Sequence, residues 1–178
     1  MSITPINTAL TSYGMSGKVF HAPFLHCNPK FTLAGAWERS KELISADYPG
    51  TQSYKSYEEL LSDAAIELII INTPNYTHFD LAKKALLAGK HIVVEKPFTV
   101  TVAEGEELIS LAKEKNKIIS PYQNRRFDSD YRTVKKVLHE KLLGDVVEAE
   151  IHFDRFSDKL SYKVHKETPG PGANVMYD

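Results

Sequence analysis

Residues 11–17 read TSYGMSG, between a short strand-like segment at 6–12 and a run at 18–26 that can start a helix. The strand is polar for a buried one, and Gly14 and Gly17 end it. Strand, glycine-bearing turn and helix, in that order, are the frame of the dinucleotide fingerprint G-x-G-x-x-G. In that fingerprint the first glycine permits a tight turn, the second lets backbone approach a pyrophosphate, and the third lets helix and strand pack closely. Gly14 and Gly17 stand in the second and third places, with Met15 and Ser16 between them, and Ser12 stands in the first. A serine forced into a left-handed backbone costs on the order of 1 kcal/mol. The amides of Ser16 and Gly17 still face outward at a helix N-terminus, where an anion is favoured. Two glycines alone fit an unliganded strand–turn–helix equally well.

Outward from this loop, the pattern predicts alternating strands and helices. FTLAGAW (31–37) reads as a strand, with Glu38 at its end and Ser40 as the N-cap of a helix over 41–46. TQSY (51–54) reads as a short strand, and Ser56 with Glu59 has capping-box spacing. IELIIIN (66–72) is a continuous apolar run suited to the centre of a parallel sheet. A helix is predicted over 79–88, closed by Gly89, then a strand over 90–97, an amphipathic helix over 102–116 and a strand over 117–122. This alternation predicts an α/β fold with a doubly wound parallel sheet over 1–122. From residue 123 the style changes. Residues 123–144 read as one helix closed by Gly144. DVVEAEIHFDRF (145–156) alternates apolar and polar, as a strand with one wet face in an antiparallel sheet. Such a strand needs a partner, so 123–178 reads as the beginning of an incomplete second domain.

The chain has 178 residues, 22 Lys and Arg against 23 Asp and Glu, and a net charge of -1. This balance favours neither nucleic acid nor an anionic membrane as a partner. No apolar run is long enough for a membrane helix, MSITPINTAL is unlike a signal peptide, and the single cysteine, Cys27, excludes an internal disulfide. A cytoplasmic protein is the simplest expectation. The histidines at 21, 26, 91, 139, 152 and 165 have no metal-ligand spacing, and no metal site is expected.

The candidate site residues cluster at predicted strand ends. Glu38 lies 24 residues after Gly14, near the spacing at which an acid meets ribose hydroxyls. Arg39, Ser40 and Lys41 follow it, and a guanidinium, a hydroxyl and an amine suit a 2′-phosphate better than a free 2′-hydroxyl. The reading therefore favours NADP slightly over NAD; for Lys41 a solvated turn is the simpler account. In NTPNYTH (72–78), Thr73 and Pro74 could wall a nicotinamide ribose, and Asn75 and His78 could bond a cofactor; a helix cap at Thr77 and a surface His78 are the plain alternative. EKPF (95–98) follows directly on a buried strand, where ligands bind in such sheets. Glu95 joins the cofactor candidates. Lys96 could hold a substrate hydroxyl and help move its proton, although composition alone makes it a strand-end surface lysine. In QNRRFDSD (123–130) the acids read as a solvated helix start.

Together SYGMSGKVFHAPF, ERSKE, NTPNYTH, VVEKPFTVT, NRRFDSD, HFDRF and PGPGANVMYD resemble the Gfo/Idh/MocA oxidoreductases. Within that family the resemblance is to the branch of NADP-dependent scyllo-inositol dehydrogenase-like proteins. It implies an N-terminal Rossmann domain and a C-terminal α/β domain whose open antiparallel sheet covers the active site and makes a homo-oligomer interface. It implies hydride transfer between NAD or NADP and a carbon of a sugar, inositol or related polyol. It places Lys96 in the active site, with a Lys96–Pro97 bond that is often cis, and carries Asn124 over as a cofactor residue. Asp178 corresponds to the aspartate of the YD motif. The family's usual acid/base histidine would stand four residues beyond Asp178, and the family is roughly twice this length. The resemblance thus predicts either a dehydrogenase impaired in this form, a nucleotide-binding module without catalysis, or an interaction fragment.

Overall fold

A computed structural model of the chain describes residues 4–38, 41–152, 154, 156 and 158. Six parallel strands form one sheet: β1 (Ile6–Leu10), β2 (Phe31–Trp37), β3 (Gln52–Tyr54), β4 (Leu68–Ile71), β5 (His91–Glu95) and β6 (Ile119–Tyr122). Their order is β3-β2-β1-β4-β5-β6. The chain winds outward from β1 in one direction, returns to β4, and winds outward in the other. The carboxyl ends of β1 and β4 therefore flank the switch point at which such sheets bind ligands. The doubly wound parallel sheet predicted from the sequence is the one observed.

Alternation within the strands separates two apolar layers. Ile69, Ile71, Ile92 and Val94 face one side and pack with Leu60, Ala82, Ala85, Leu86 and Leu108. Those helical residues belong to α3 (Tyr57–Ser62), α4 (His78–Leu87) and α5 (Val102–Glu114). Leu10, Ala36 and Ile70 face the other side, against Ala22 and Leu25 of α1 (Ala22–Cys27) and Ile44 of α2 (Leu43–Asp47). Each continuous run of β-branched residues is thus buried on both faces, as a central parallel strand requires. Local signals fix the helix starts. Ser56 Oγ accepts the Glu59 N–H at 3.0 Å, and Thr101 with Glu104 forms a complete capping box on α5.

Three local expectations are corrected. The helix expected over 18–26 opens instead as a π turn, Gly17–His21, continuous with α1, and the Ala22 N–H reaches back to the Gly17 carbonyl. The single helix expected over 123–144 divides into a 3-10 turn, Asn124–Phe127, and α6 (Ser129–His139), because Asp128 is extended between them (φ -63°, ψ 147°). The strand expected over 145–156 does not form among the described residues: 146–152 carry no regular structure and are exposed. Its alternating pattern supplies an apolar face, but a strand forms only when paired, and no described strand pairs with this segment.

Candidate functional site

The loop that follows β1 is held from β4. Thr11 Oγ1 accepts the Asn72 N–H at 2.9 Å, and Asn72 Nδ2–H donates to the Ser12 carbonyl at 2.8 Å. Both side chains are buried, so each polar atom needs such a partner. Ser12 is not among the residues with positive φ, so the strain allowed for a serine in the first glycine's place is absent. Its hydroxyl instead accepts the Gly14 N–H at 3.3 Å and closes the turn through its side chain.

Gly14 and Gly17 divide the remaining roles. A Cβ on Gly17 would lie 2.5 Å from the Ser12 carbonyl oxygen and 3.2 Å from Asn72 Nδ2, so only glycine lets the helix come this close. A Cβ on Gly14 would meet nothing nearer than Ser12 Oγ at 3.5 Å, so the space over it is open. The first helical hydrogen bond runs from the Lys18 N–H to the Gly14 carbonyl at 2.9 Å. The amides of Met15, Ser16 and Gly17 therefore precede the helical ladder and emerge from its N-terminal end. Open space over a glycine in front of outward amides fits a dinucleotide pyrophosphate.

Glu95, at the end of β5, ties this helix to the EKP turn. Its Oε1 accepts the Ser16 hydroxyl at 2.7 Å and the His21 Nε2–H at 2.8 Å, and its Oε2 accepts the Lys96 N–H at 3.2 Å. Burial opposes the charge on Glu95. The hydrogen bonds from His21 and Ser16, the charge of His21 and the Lys96 amide outweigh it and hold the carboxyl below the usual range. His21 is buried and packs against Tyr122, with ring centroids 4.5 Å apart and planes tilted by 48°, and the Tyr122 hydroxyl donates to the Phe20 carbonyl at 3.0 Å. The π turn carries His21 inward to this position. Burial, and then the charge of Glu95, push the Tyr122 hydroxyl upward.

The Lys96–Pro97 bond is cis, and Lys96 is exposed. His78 is 1% exposed, with Nδ1 2.9 Å from the Pro97 carbonyl and Nε2 2.9 Å from the Thr73 carbonyl. Its side chain thus spans the two loops at the ends of β4 and β5. Thr73 Oγ1 lies 2.6 Å from Thr77 Oγ1; Pro74 is exposed and Asn75 half-buried at the start of the 3-10 turn Asn75–Thr77. Asn124 lines an open groove of about 610 Å³ with Phe20, Phe24 and Tyr122. Among the described residues no group of three or more His, Cys, Asp or Glu side chains could hold a metal ion. No described helix is long and apolar enough to cross a membrane.

The structure therefore gathers Ser12, Gly14, Met15, Ser16 and Gly17 at one helix end, beside Thr73 and Glu95. Glu38 turns away: it is 7% exposed and bonded to α2 and β3. Arg39, Ser40 and Asp178 lie outside the described residues. Thr11, His21, Asn72 and Tyr122 were not singled out from the sequence. A polar residue closing an apolar strand run, as Asn72 does, is the signal that could have found it.

The pattern of the oxidoreductase family model whose description is Gfo/Idh/MocA, NAD-binding Rossmann fold, matches residues 6–123. The chain belongs to this family. An uncharacterized oxidoreductase of Schizosaccharomyces pombe is 43% identical over 99% of this chain and 49% of its own length. A Bacillus subtilis protein named scyllo-inositol 2-dehydrogenase (NADP(+)) is 34% identical over 99% of this chain and 49% of its own length. The solved structure of a Yersinia pestis protein named as an oxidoreductase superposes with a TM-score of 0.88 at 39% identity, covering 97% of this chain and 48% of that one. This Gfo/Idh/MocA chain thus spans about half the length of the curated relatives it matches.

Proposed function

We propose that the chain binds NADP(H), with NAD(H) second, between residues 11–17 and 72–78, and that Lys96 stands on the substrate side of that site. The observation that carries this reading is the open space over Gly14 in front of the outward amides of Met15, Ser16 and Gly17 at the β1–β4 switch point. The nicotinamide ring, when bound, supplies the hydride acceptor or donor. Thr73 and Pro74 wall its ribose, while Asn75, His78, Glu95 and Asn124 hold or shape its surroundings. Arg39 and Ser40 meet the 2′-phosphate. The exposed Lys96 ammonium holds the substrate hydroxyl and takes part in moving its proton as the carbon is oxidised or the carbonyl reduced. Asp178 is the second substrate-side residue in this reading.

The substrate class is a sugar, an inositol or a related polyol, supported by the dehydrogenase named above. Residues 1–122 make the nucleotide-binding unit, and 123–178 begin a second one; α6 buries none of its residues against the sheet. The match of residues 6–123 to a family model described by its NAD-binding Rossmann fold favours a second reading, a module that holds nucleotide without turnover. Incubation of the chain with NADP+ and scyllo-inositol, myo-inositol or glucose, followed by absorbance of the reduced nicotinamide, separates the two. Turnover supports the dehydrogenase. Saturable binding without turnover supports the module, and no binding contradicts both.

A further inference from the structure

Glu38 follows β2 at the place where an acid commonly meets the adenosine ribose. Its side chain is engaged elsewhere. Oε1 accepts the Leu43 N–H at 3.1 Å; Oε2 accepts the Ile44 N–H at 3.1 Å and the Ser53 hydroxyl at 2.8 Å. Its own N–H is held by the Tyr54 carbonyl at 2.9 Å. A carboxylate offers about four lone-pair positions, and three of these are taken by the protein. Leu43 and Ile44 are the first two residues of α2, and Glu42, at the N-cap, makes no side-chain bond to them. Ile44 is fully buried. Turning Glu38 outward would leave those amides without their acceptor and would release β3 from α2 at Ser53.

Resting on the nucleotide-binding reading above, we propose that Glu38 is the internal cap of α2 and makes no bond to the ribose, so that its carboxylate does not select NAD(H) over NADP(H). An acid bonded to a free 2′-hydroxyl rejects a 2′-phosphate by loss of that bond and by like charge. Glu38 spends its acceptors on two amides and a hydroxyl, and leaves the neighbouring surface to whatever follows it.

The test compares wild type with Glu38→Gln. Both are titrated with NADH and NADPH, and amide hydrogen exchange is followed at Leu43 and Ile44. In the variant the ratio of the two dissociation constants stays within about three-fold of wild type, whereas a lost charge-assisted bond to the ribose would cost NADH on the order of ten-fold or more. Leu43 and Ile44 exchange faster in the variant. Selective weakening of NADH by ten-fold or more, with NADPH unchanged or tighter, overturns the proposal. In the wild-type chain, protection at Leu43 and Ile44 persists on adding NADH; loss of protection there would show the carboxylate swinging to the ribose and would also overturn it. This second measurement stands even where Glu38→Gln fails to fold. Binding of neither nucleotide by wild type overturns the nucleotide reading and the selectivity statement with it. Unchanged exchange at Leu43 and Ile44 in the variant overturns the cap.

Discussion

Replacing Gly17 by alanine puts a methyl carbon 2.5 Å from the Ser12 carbonyl oxygen and 3.2 Å from Asn72 Nδ2. Neither neighbour is the end of a flexible chain: one is backbone, and the other belongs to a buried amide already bonded to Ser12 at 2.8 Å. The helix must withdraw, and the Asn72–Ser12 bond must stretch or break. Overpacking costs about 1–3 kcal/mol, and a buried polar group left unpaired costs about 1–3 kcal/mol more. The sum, about 2–6 kcal/mol, lowers the melting temperature of a chain this size by roughly 4–24 °C. Gly14→Ala is the internal control. Its new carbon would meet only Ser12 Oγ at 3.5 Å, and Gly14 is not among the positive-φ glycines. Its melting temperature stays within about 2 °C of wild type, as for an ordinary surface change. Its NADPH affinity falls by about ten-fold or more, because the methyl occupies the space that backbone and pyrophosphate must share. Thermal melts by circular dichroism and NADPH titrations of all three proteins decide the matter. A Gly17→Ala melt within 2 °C of wild type would refute the close-approach argument, and a Gly14→Ala chain that binds NADPH like wild type would refute the cradle.

Three further outcomes are expected. Ser12→Gly frees the Gly14 N–H from the Ser12 hydroxyl, so NADP(H) binds modestly tighter while any turnover with a polyol is no higher than in wild type; a titration in which NADP(H) binds more weakly to this variant would contradict the view of the loop. Lys96→Met leaves nucleotide affinity within a few-fold, since its role lies on the substrate side, and complete loss of binding in a titration would make Lys96 a principal cofactor contact. The depressed carboxyl of Glu95 contributes stability that is present above its ordinary value of 4.5 and is lost as the pH falls below that value through its lower folded one. Denaturant melts across that window show a slope in wild type that Glu95→Gln flattens; equal slopes in both would remove the His21–Glu95 tie from the account.

The parts of the fold that the sequence announces are those set by periodicity. IELIIIN could sit stably only at the centre of a parallel sheet, and β4 with Ile69, Ile70 and Ile71 buried there follows from hydrophobicity alone. The Ser56–Glu59 signal works because a cap is a local bond. What escaped the reading depends on direction rather than composition. Spacing places Glu38 at the end of β2 but does not say which way its carboxylate turns, and the Leu43 and Ile44 amides of α2 draw it inward. The π turn at Gly17–His21 leaves no periodic trace, yet it carries His21 to Glu95. His78, read as a cofactor or surface residue, has both ring nitrogens against loop carbonyls, a pairing between elements 19 residues apart. The alternation at 145–156 is silent on whether a partner strand is present, and among the described residues there no strand forms.

The account rests most directly on the loop of Ser12, Gly14 and Gly17 holding a dinucleotide. A calorimetric titration of the purified 178-residue chain with NADPH and with NADH, at a solution size checked by light scattering, measures this. The account predicts saturable binding of one nucleotide per chain, NADPH the tighter. A folded, monodisperse chain that binds neither would contradict it.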